Sequence, residues 1–413
     1  MTNPLTQLPA PSTKRIALRI NSHAERALRQ GHPWIFDQAI TEQSHPGAPG
    51  DLAVIFDDKR RFLAVGLYDP TSTIRVRILQ SRQPATINTD WFAKKLIAAN
   101  LLRQPLTGQA TNGYRIVNGE NDGLPGLVVD RYAETLVLKI YSPAWVPHLA
   151  SFCAALQLTN PAAQLILRLS RSLSKQSEFL YGLEDGTALD GILPENVILF
   201  RENGLTFECD PVHGQKTGFF LDQRENRAHV ERLSGGKTVL NVFAYTGGFS
   251  VYAASGGAQQ VTSVDISAPA LQAAVRNFGH NQHIASVKAA IHETIAEDAF
   301  DVLTRMASQQ RLFDVVILDP PMFAQSQSQI AAGLAAYSKL TRLGLGVLRA
   351  GGTLVQASCS SRIDAASFFE GITHAAGESK RRLTQVEHSG HGIDHPIRFD
   401  EGAYLKCLFA TAS

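Results

Sequence analysis

From about Glu195 to the C-terminus, short apolar runs alternate with helical stretches, and this alternation constrains the fold most. VLNVF, VTSVD, HETIA, FDVVILD and TLVQASC read as buried strands. VYAAS, PALQAAVRNF, AFDVLTRMAS and QIAAGLAAYSKLTRLGLGVL read as the helices between them. A helix between two strands is the crossover that parallel strands require. The pattern therefore predicts an α/β domain with a parallel, doubly wound sheet. Two tail runs, RRLTQVEHSG and AYLKCLFA, add strands whose proximity in sequence suits an antiparallel pair at the sheet edge.

The chain has 413 residues, too many for one ordinary core. Residues 1–85 hold the strand-like runs RIALRI, DLAVIFD, RFLAVGLYD and TIRVRIL, separated by turn signals such as HPGAPGD and YDPTST. This predicts a small β-rich module, with Trp34 and Phe36 of GHPWIF in its core. Lys and Arg number 11 here and Asp and Glu 7, an excess of +4 in a chain whose net charge is +2. Lys59, Arg60, Arg61, Arg75, Arg77 and Arg82 read either as a solvated sheet face or as a surface for RNA phosphate. Residues 86–194 mix helix and strand. TDWFAKKLIAANLLRQ reads as a helix, and GYRIVNGENDGLPGLVVDRYAETLVLKI as two strands flanking a glycine-shaped loop. No catalytic constellation is visible there.

The remaining classes are narrowed by what is missing. No run of eighteen apolar residues suggests a membrane span, and MTNPLTQLPAPSTKR has no apolar run that would suggest a signal peptide. Cys153, Cys209, Cys359 and Cys407 are far apart and form no CxxC pair, which argues against zinc and against a disulfide scaffold. A reducing cytoplasm is the expected compartment, and no metal is expected.

In an open α/β sheet, ligands bind beyond the carboxyl ends of the strands. The first strand leads into AYTGGFS, where Gly247 and Gly248 open a helix. Glycines there let backbone approach a ligand, and the helix start offers free N–H groups. The spacing is not GxGxxG, which disfavours a nicotinamide dinucleotide. The second strand ends in Asp265, placed to accept ribose hydroxyls. The third leads to Glu297 and Asp298, either of which could take an adenine amino group, with Phe300 near the ring. The fourth ends in Asp319-Pro320-Pro321-Met322-Phe323 and the fifth in Ser358-Cys359-Ser360. A glycine turn followed by acids on successive strand ends is the arrangement of enzymes that use S-adenosylmethionine.

The last two strand ends carry the chemistry. Asp319-Pro320-Pro321 reads as a proline-stiffened loop or as a rigid shelf for a flat base, with Phe323 in the core or stacked on that base. A similar Asp-Pro-Pro-aromatic loop occurs in methyltransferases acting on amino nitrogen, although here Met322 separates the second proline from the ring. Cys359 reads as a small buried residue or as a nucleophile. Carbon-5 of a pyrimidine is a poor nucleophile until a thiolate adds to carbon-6, and amino-nitrogen methylation needs no thiol. Position alone leaves both readings open.

GHPWIF, GENDGLPGLVVDRY, GQKTGFFLDQR, NVFAYTGGFSVYA, SVDIS, ILDPPMF, SCSS and DHP…EGAYLK together resemble the cytosine-5 23S ribosomal RNA methyltransferases that carry an N-terminal PUA domain. The resemblance implies a β-rich PUA domain (1–85), a small mixed α/β domain (86–194) and a Rossmann-like class I methyltransferase domain (195–413) with a mostly parallel seven-stranded sheet. It implies that GQKTGFFLDQR covers the cofactor pocket, which makes Lys216, Thr217, Phe219, Asp222 and Gln223 candidate cofactor or site-shaping residues. Ala244, Tyr245, Thr246, Gly247 and Gly248 would hold the methionine part, Asp265 the ribose and Asp298 the adenine. Asp319, with Pro320, Pro321 and Phe323, would contact the cytosine, and Cys359 would be the nucleophile. The cofactor would be S-adenosylmethionine, the partner 23S ribosomal RNA, and some members are homodimers. Two rivals differ in class: an amino-nitrogen methyltransferase using the Asp-Pro-Pro loop, and a non-catalytic RNA-binding assembly factor.

Overall fold

A computed structural model describes residues 3–162, 164–193, 197–324 and 326–413. The expected boundary between Pro194 and Glu195 lies outside the described residues. Contacts divide the chain into two compact units: Met1–Gly204 with Cys209–Leu221 and Ile393–Gly402, and Leu205–Glu208 with Asp222–Gly392 and Ala403–Ser413.

The first unit contains a six-stranded and a five-stranded sheet. The six strands run, side by side, Trp34–Phe36, Ile74–Ser81, Phe62–Tyr68, Leu52–Phe56, Ile16–Ile20 and Ile40–Gln43. The four long runs expected from the sequence all form strands. The two outermost strands are short, which is why their patterning was not legible. Ile16, Leu18, Ile20, Ile35, Ile55 and Ala64 fill the core. Two expectations need correction. Phe36 is 43% exposed, so it lies outside the core. Arg77 is buried against Asp69, at 3.4 Å, and is not a phosphate contact on an open face.

The five-stranded sheet has the order Ala188–Asp190, Gln164–Leu169, Thr135–Ile140, Leu127–Tyr132 and Gly113–Asn118. The stretch read as two strands therefore makes three. Ala133, at φ 52°, turns the chain between the second and third without a glycine to mark it. Helices Thr89–Thr107 and Leu149–Thr159 supply Phe92, Leu96, Phe152 and Leu156 to the core beside this sheet.

The second unit is built on a seven-stranded sheet. Its strands are β1 (Thr238–Val242), β2 (Gln260–Val264), β3 (Ile291–Ile295), β4 (Phe313–Leu318), β5 (Leu348–Ser358), β6 (Leu383–Ser389) and β7 (Lys406–Ala412), in the order β3-β2-β1-β4-β5-β7-β6. β1 to β5 are parallel, and β7 is antiparallel to both β5 and β6. The central strands are buried on both faces, as a parallel sheet requires, hence their unbroken Val, Leu and Ile runs. The strand order, not the strand direction, reverses between β1 and β4, and such a switch point creates the crevice where ligands bind in such sheets. Among the described residues no helix is long and apolar enough to cross a membrane.

Candidate active site

Register aligns the strand ends. Val242 of β1 pairs with Val264 of β2 and Leu318 of β4, Val264 with Ile295 of β3, and Leu318 with Gln356 of β5. The residues that follow, Phe243 to Gly248, Asp265, Glu297 and Asp298, Asp319 and Cys359, therefore share one edge of the sheet.

The turn after β1 is wound tightly. Phe243 (φ 63°), Tyr245 (φ 47°) and Gly247 (φ 76°) all lie in the left-handed region. Side-chain-bearing residues adopt it at a cost of about 1–3 kcal/mol, and such strain collects at ligand sites. Gly247 is required on two counts, because a Cβ there would also come within 2.7 Å of Ala274 Cβ. The Ala244 amide donates to Val264 O (2.9 Å), and Thr246 O accepts from Asn277 Nδ2 (2.8 Å). Asp265 Oδ2 accepts the Tyr245 N–H (2.8 Å) and Oδ1 the Ser267 N–H (2.9 Å). Each oxygen keeps a second lone pair, so this acid both shapes the turn and retains capacity for hydroxyl donors.

The third strand end sorts its two acids. Glu297 is engaged by Arg305 at 2.6 Å, and this guanidinium holds its carboxyl below the usual range. Asp298 is exposed and caps the next helix, its Oδ1 accepting from the Phe300 (2.8 Å) and Asp301 (3.3 Å) amides. Asp298 is thus the freer of the two for an amino donor.

The Thr246 hydroxyl is buried, with no hydrogen-bond partner among the described residues. A buried polar group left so costs about 1–3 kcal/mol unless something else satisfies it. An orphaned donor beside a strained glycine turn, with carboxylates on the next two strand ends, fits a nucleoside-bearing, polar cofactor such as S-adenosylmethionine.

Beyond β4, Asp319 is half-buried and its Oδ1 accepts from Gln223 Nε2 at 3.0 Å. Gln223 is itself oriented by Asn226, whose Nδ2 donates to Gln223 Oε1 at 2.5 Å, and Asn226 accepts from the Ser389 hydroxyl. Asp222, also buried, accepts from the Tyr404 hydroxyl at 2.8 Å. Pro320 is buried, whereas Pro321 and Met322 are exposed. Phe323 packs against Tyr337 (4.8 Å) and more loosely Phe300 (6.4 Å), so its ring is committed to an aromatic cluster.

Cys359 is the one half-buried cysteine of four. Burial pushes the Cys153 thiol up to about 12, and Cys209 and Cys407 are raised by burial as well. Both serines beside Cys359 are tied down: Ser358 Oγ donates to Tyr337 OH (2.9 Å) and Ser360 Oγ to Ala324 O (3.1 Å). Burial foremost pushes the Tyr337 hydroxyl up to about 12, so it stays neutral. Residue-level reading missed Tyr337, Asn226 and Lys406. Only the lysine left a signal, a lone cation in the apolar run AYLKCLFA.

Thr217 and Phe219 belong to the first unit, while Asp222 and Gln223 belong to the second. Thr217 Oγ1 donates to Asp130 Oδ2 (2.5 Å) and lies 3.0 Å from Tyr132 OH. Phe219 is buried edge-on to Phe200, and its amide donates to Tyr132 OH. The Lys216 carbonyl accepts from Lys139 Nζ at 3.1 Å.

A seven-stranded sheet with this strand order, carrying a glycine turn and successive acids at its carboxyl edge, defines a class I methyltransferase. Comparison with known proteins agrees. The profile of S-adenosylmethionine-dependent methyltransferases matches residues 185–408, and that of PUA-like domains matches 18–81. A ribosomal RNA large subunit methyltransferase of Deinococcus radiodurans is 45% identical, covering 97% of this chain and 98% of its own. A ribosomal RNA large subunit methyltransferase I of Photobacterium profundum is 36% identical over 92% and 96%. A Streptococcus mutans chain described as an S-adenosylmethionine-dependent methyltransferase shares the fold at TM-score 0.80, with 23% identity over 96% and 99%. The chain belongs to the family of the ribosomal RNA large subunit methyltransferases, and its methyl donor is S-adenosylmethionine.

Proposed function

We propose that the protein methylates carbon-5 of a cytosine in 23S ribosomal RNA through a covalent adduct to Cys359. The observation that carries this reading is the placement of the one half-buried cysteine at the end of β5, beside β4 with Asp319, on the edge that carries the glycine turn. Ala244 to Gly248, Asp265 and Asp298 would hold the donor, and Asp222, on the same unit, is a further candidate. S-adenosylmethionine supplies an electrophilic methyl group. The Cys359 thiolate adds to carbon-6 of the base, which makes carbon-5 nucleophilic. Asp319, held by Gln223, accepts a hydrogen bond from the cytosine amino group, and Pro320 and Pro321 stiffen the loop beneath it. After methyl transfer a base removes the carbon-5 proton and the thiolate leaves.

The division into residues 1–85, 86–194 and 195–413 assigns RNA positioning to the PUA-like part and chemistry to the last. A base inside a duplex hides carbon-5, so the target is flipped out or already unpaired. The rival is amino-nitrogen methylation through Asp319-Pro320-Pro321, which uses no thiol. Mass mapping of 23S ribosomal RNA methylated by wild type and by Cys359→Ala separates them. The covalent reading expects 5-methylcytosine from the first and none from the second. Full activity of Cys359→Ala would overturn it.

A further inference from the structure

Lys406 opens β7 and is only 5% exposed. In the antiparallel register it lies opposite Ser358, the residue before Cys359. Its Nζ donates to Ser360 O at 2.6 Å and to Ile363 O at 2.5 Å. The ammonium thus grips the backbone on the far side of Cys359 while its own strand pairs with the near side. Both acceptors are neutral carbonyls, and no carboxylate pairs with Lys406 among the described residues. Two of its three hydrogens are used. A buried cation with no carboxylate in direct contact is costly, because its desolvation is only partly offset by opposite charge.

The groups around this strand end decide which anion serves. Asp364 caps the helix Ala365–Glu378 through Ser367 and is exposed. Asp319 faces from β4, where Gln223 holds it. Tyr337 faces from the helix Ile330–Gly346 with its hydroxyl neutral. Cys407, next along β7, is fully buried, and its thiol is raised by burial. Burial lowers Lys406 from the usual lysine range, and the charges that oppose this are first Cys359 and then Asp364.

We propose that Lys406 is a positioning residue and the counter-ion of Cys359: it fixes the strand end that presents the thiol and favours its thiolate. This deepens the covalent reading and rests on Cys359 being the nucleophile. Charge attraction is reciprocal, so an ammonium fixed on the Ser360 and Ile363 carbonyls, whose charge Cys359 already favours, lowers the cost of ionising that thiol in turn. The proton released goes to solvent, and no further reactant is required.

The test is the pH dependence of Cys359 alkylation by iodoacetamide, read by peptide mass mapping on the full chain without cofactor. The other three cysteines are buried, which isolates the signal. In wild type the midpoint should lie below the free-thiol value of about 8.5. In Lys406→Met it should rise by about one pH unit or more, the direction that removing an opposite charge dictates. Lys406→Arg should restore most of the shift. A wild-type midpoint at or above about 8.5 overturns the proposal whether or not the variants fold. So does an unchanged midpoint in a Lys406→Met protein that retains the wild-type thermal transition. Because this assay reads ionisation and not methyl transfer, its outcome is separate from that of the Cys359→Ala mapping.

Discussion

The GENDGLPG loop is a stability element, and Asp122→Ala is the perturbation that exposes it. Asp122 accepts two bonds from Arg103, at 2.8 and 2.6 Å, and a third from the Asn118 amide at 2.6 Å. The two side chains are 1% and 3% exposed. Arg103 also donates to the carbonyls of Ala99, Arg115 and Asp394. Removing the carboxylate leaves a buried guanidinium with neutral partners only. Two charge-assisted bonds at about 1.5–3 kcal/mol each give about 3–6 kcal/mol. Breaking a buried pair from one side costs about 3–5 kcal/mol, so the same loss is expected here. Urea unfolding followed by tryptophan fluorescence measures it, because Trp34, Trp91 and Trp145 all lie in this unit. Arg103→Met with Asp122→Leu should recover much of the loss, since a buried pair replaced by apolar groups is often neutral. A loss below about 1 kcal/mol for Asp122→Ala would show that water reaches the guanidinium and would refute the reasoning.

Gln223→Leu should lower kcat about tenfold or more while leaving S-adenosylmethionine affinity near wild type, since it removes one hydrogen bond to a charged carboxylate; isothermal titration and single-turnover methylation check both halves. Gly247→Ala should weaken cofactor binding and stability together, through strain at φ 76° and a 2.7 Å clash with Ala274, readable as a lower melting temperature with and without cofactor. Burial pushes His292 down to about 4 where it stacks on Phe278 at 3.8 Å. Its folded pKa lies below the unfolded 6.5, so the unfolded chain binds more protons between those values and stability falls as pH drops from about 6.5 towards 4. His292→Phe should flatten that slope in denaturation series run at each pH.

The α/β alternation was legible because each buried parallel strand is a continuous apolar run and each crossover a helix. The strand-end acids were legible because each follows its run directly. What escaped was set by backbone geometry or by partners outside the local run. Ala133 makes a turn that no glycine marks, so three strands read as two. Phe36 is apolar yet exposed, and Arg77 is charged yet buried by Asp69, 8 residues away. Glu297 and Asp298 look interchangeable until Arg305 takes the first. Gln223 looks like one polar residue among several until Asp319 is found against its amide. The segment Ile393–Gly402 follows the methyltransferase strands in sequence, and its contacts cluster with the first unit. There Asn118 Nδ2 donates to Pro396 O and Asn121 Oδ1 accepts the Arg398 amide.

These long-range ties bear on Cys359 directly. A strand end in small polar residues is ordinarily the least constrained part of a strand, yet this one is fixed on three sides. Tyr337 holds Ser358, Ala324 holds Ser360, and Lys406 holds the backbone beyond. Packing alone does not require this. A small apolar residue would fill position 359 without a buried phenol and a buried ammonium around it, and each of those polar groups carries a desolvation cost. Under the proposed covalent reading these groups have a use: they present the thiol in one orientation and stabilise it when ionised. Nucleophilic addition to a flat ring makes both demands, and transfer to an exocyclic nitrogen makes neither.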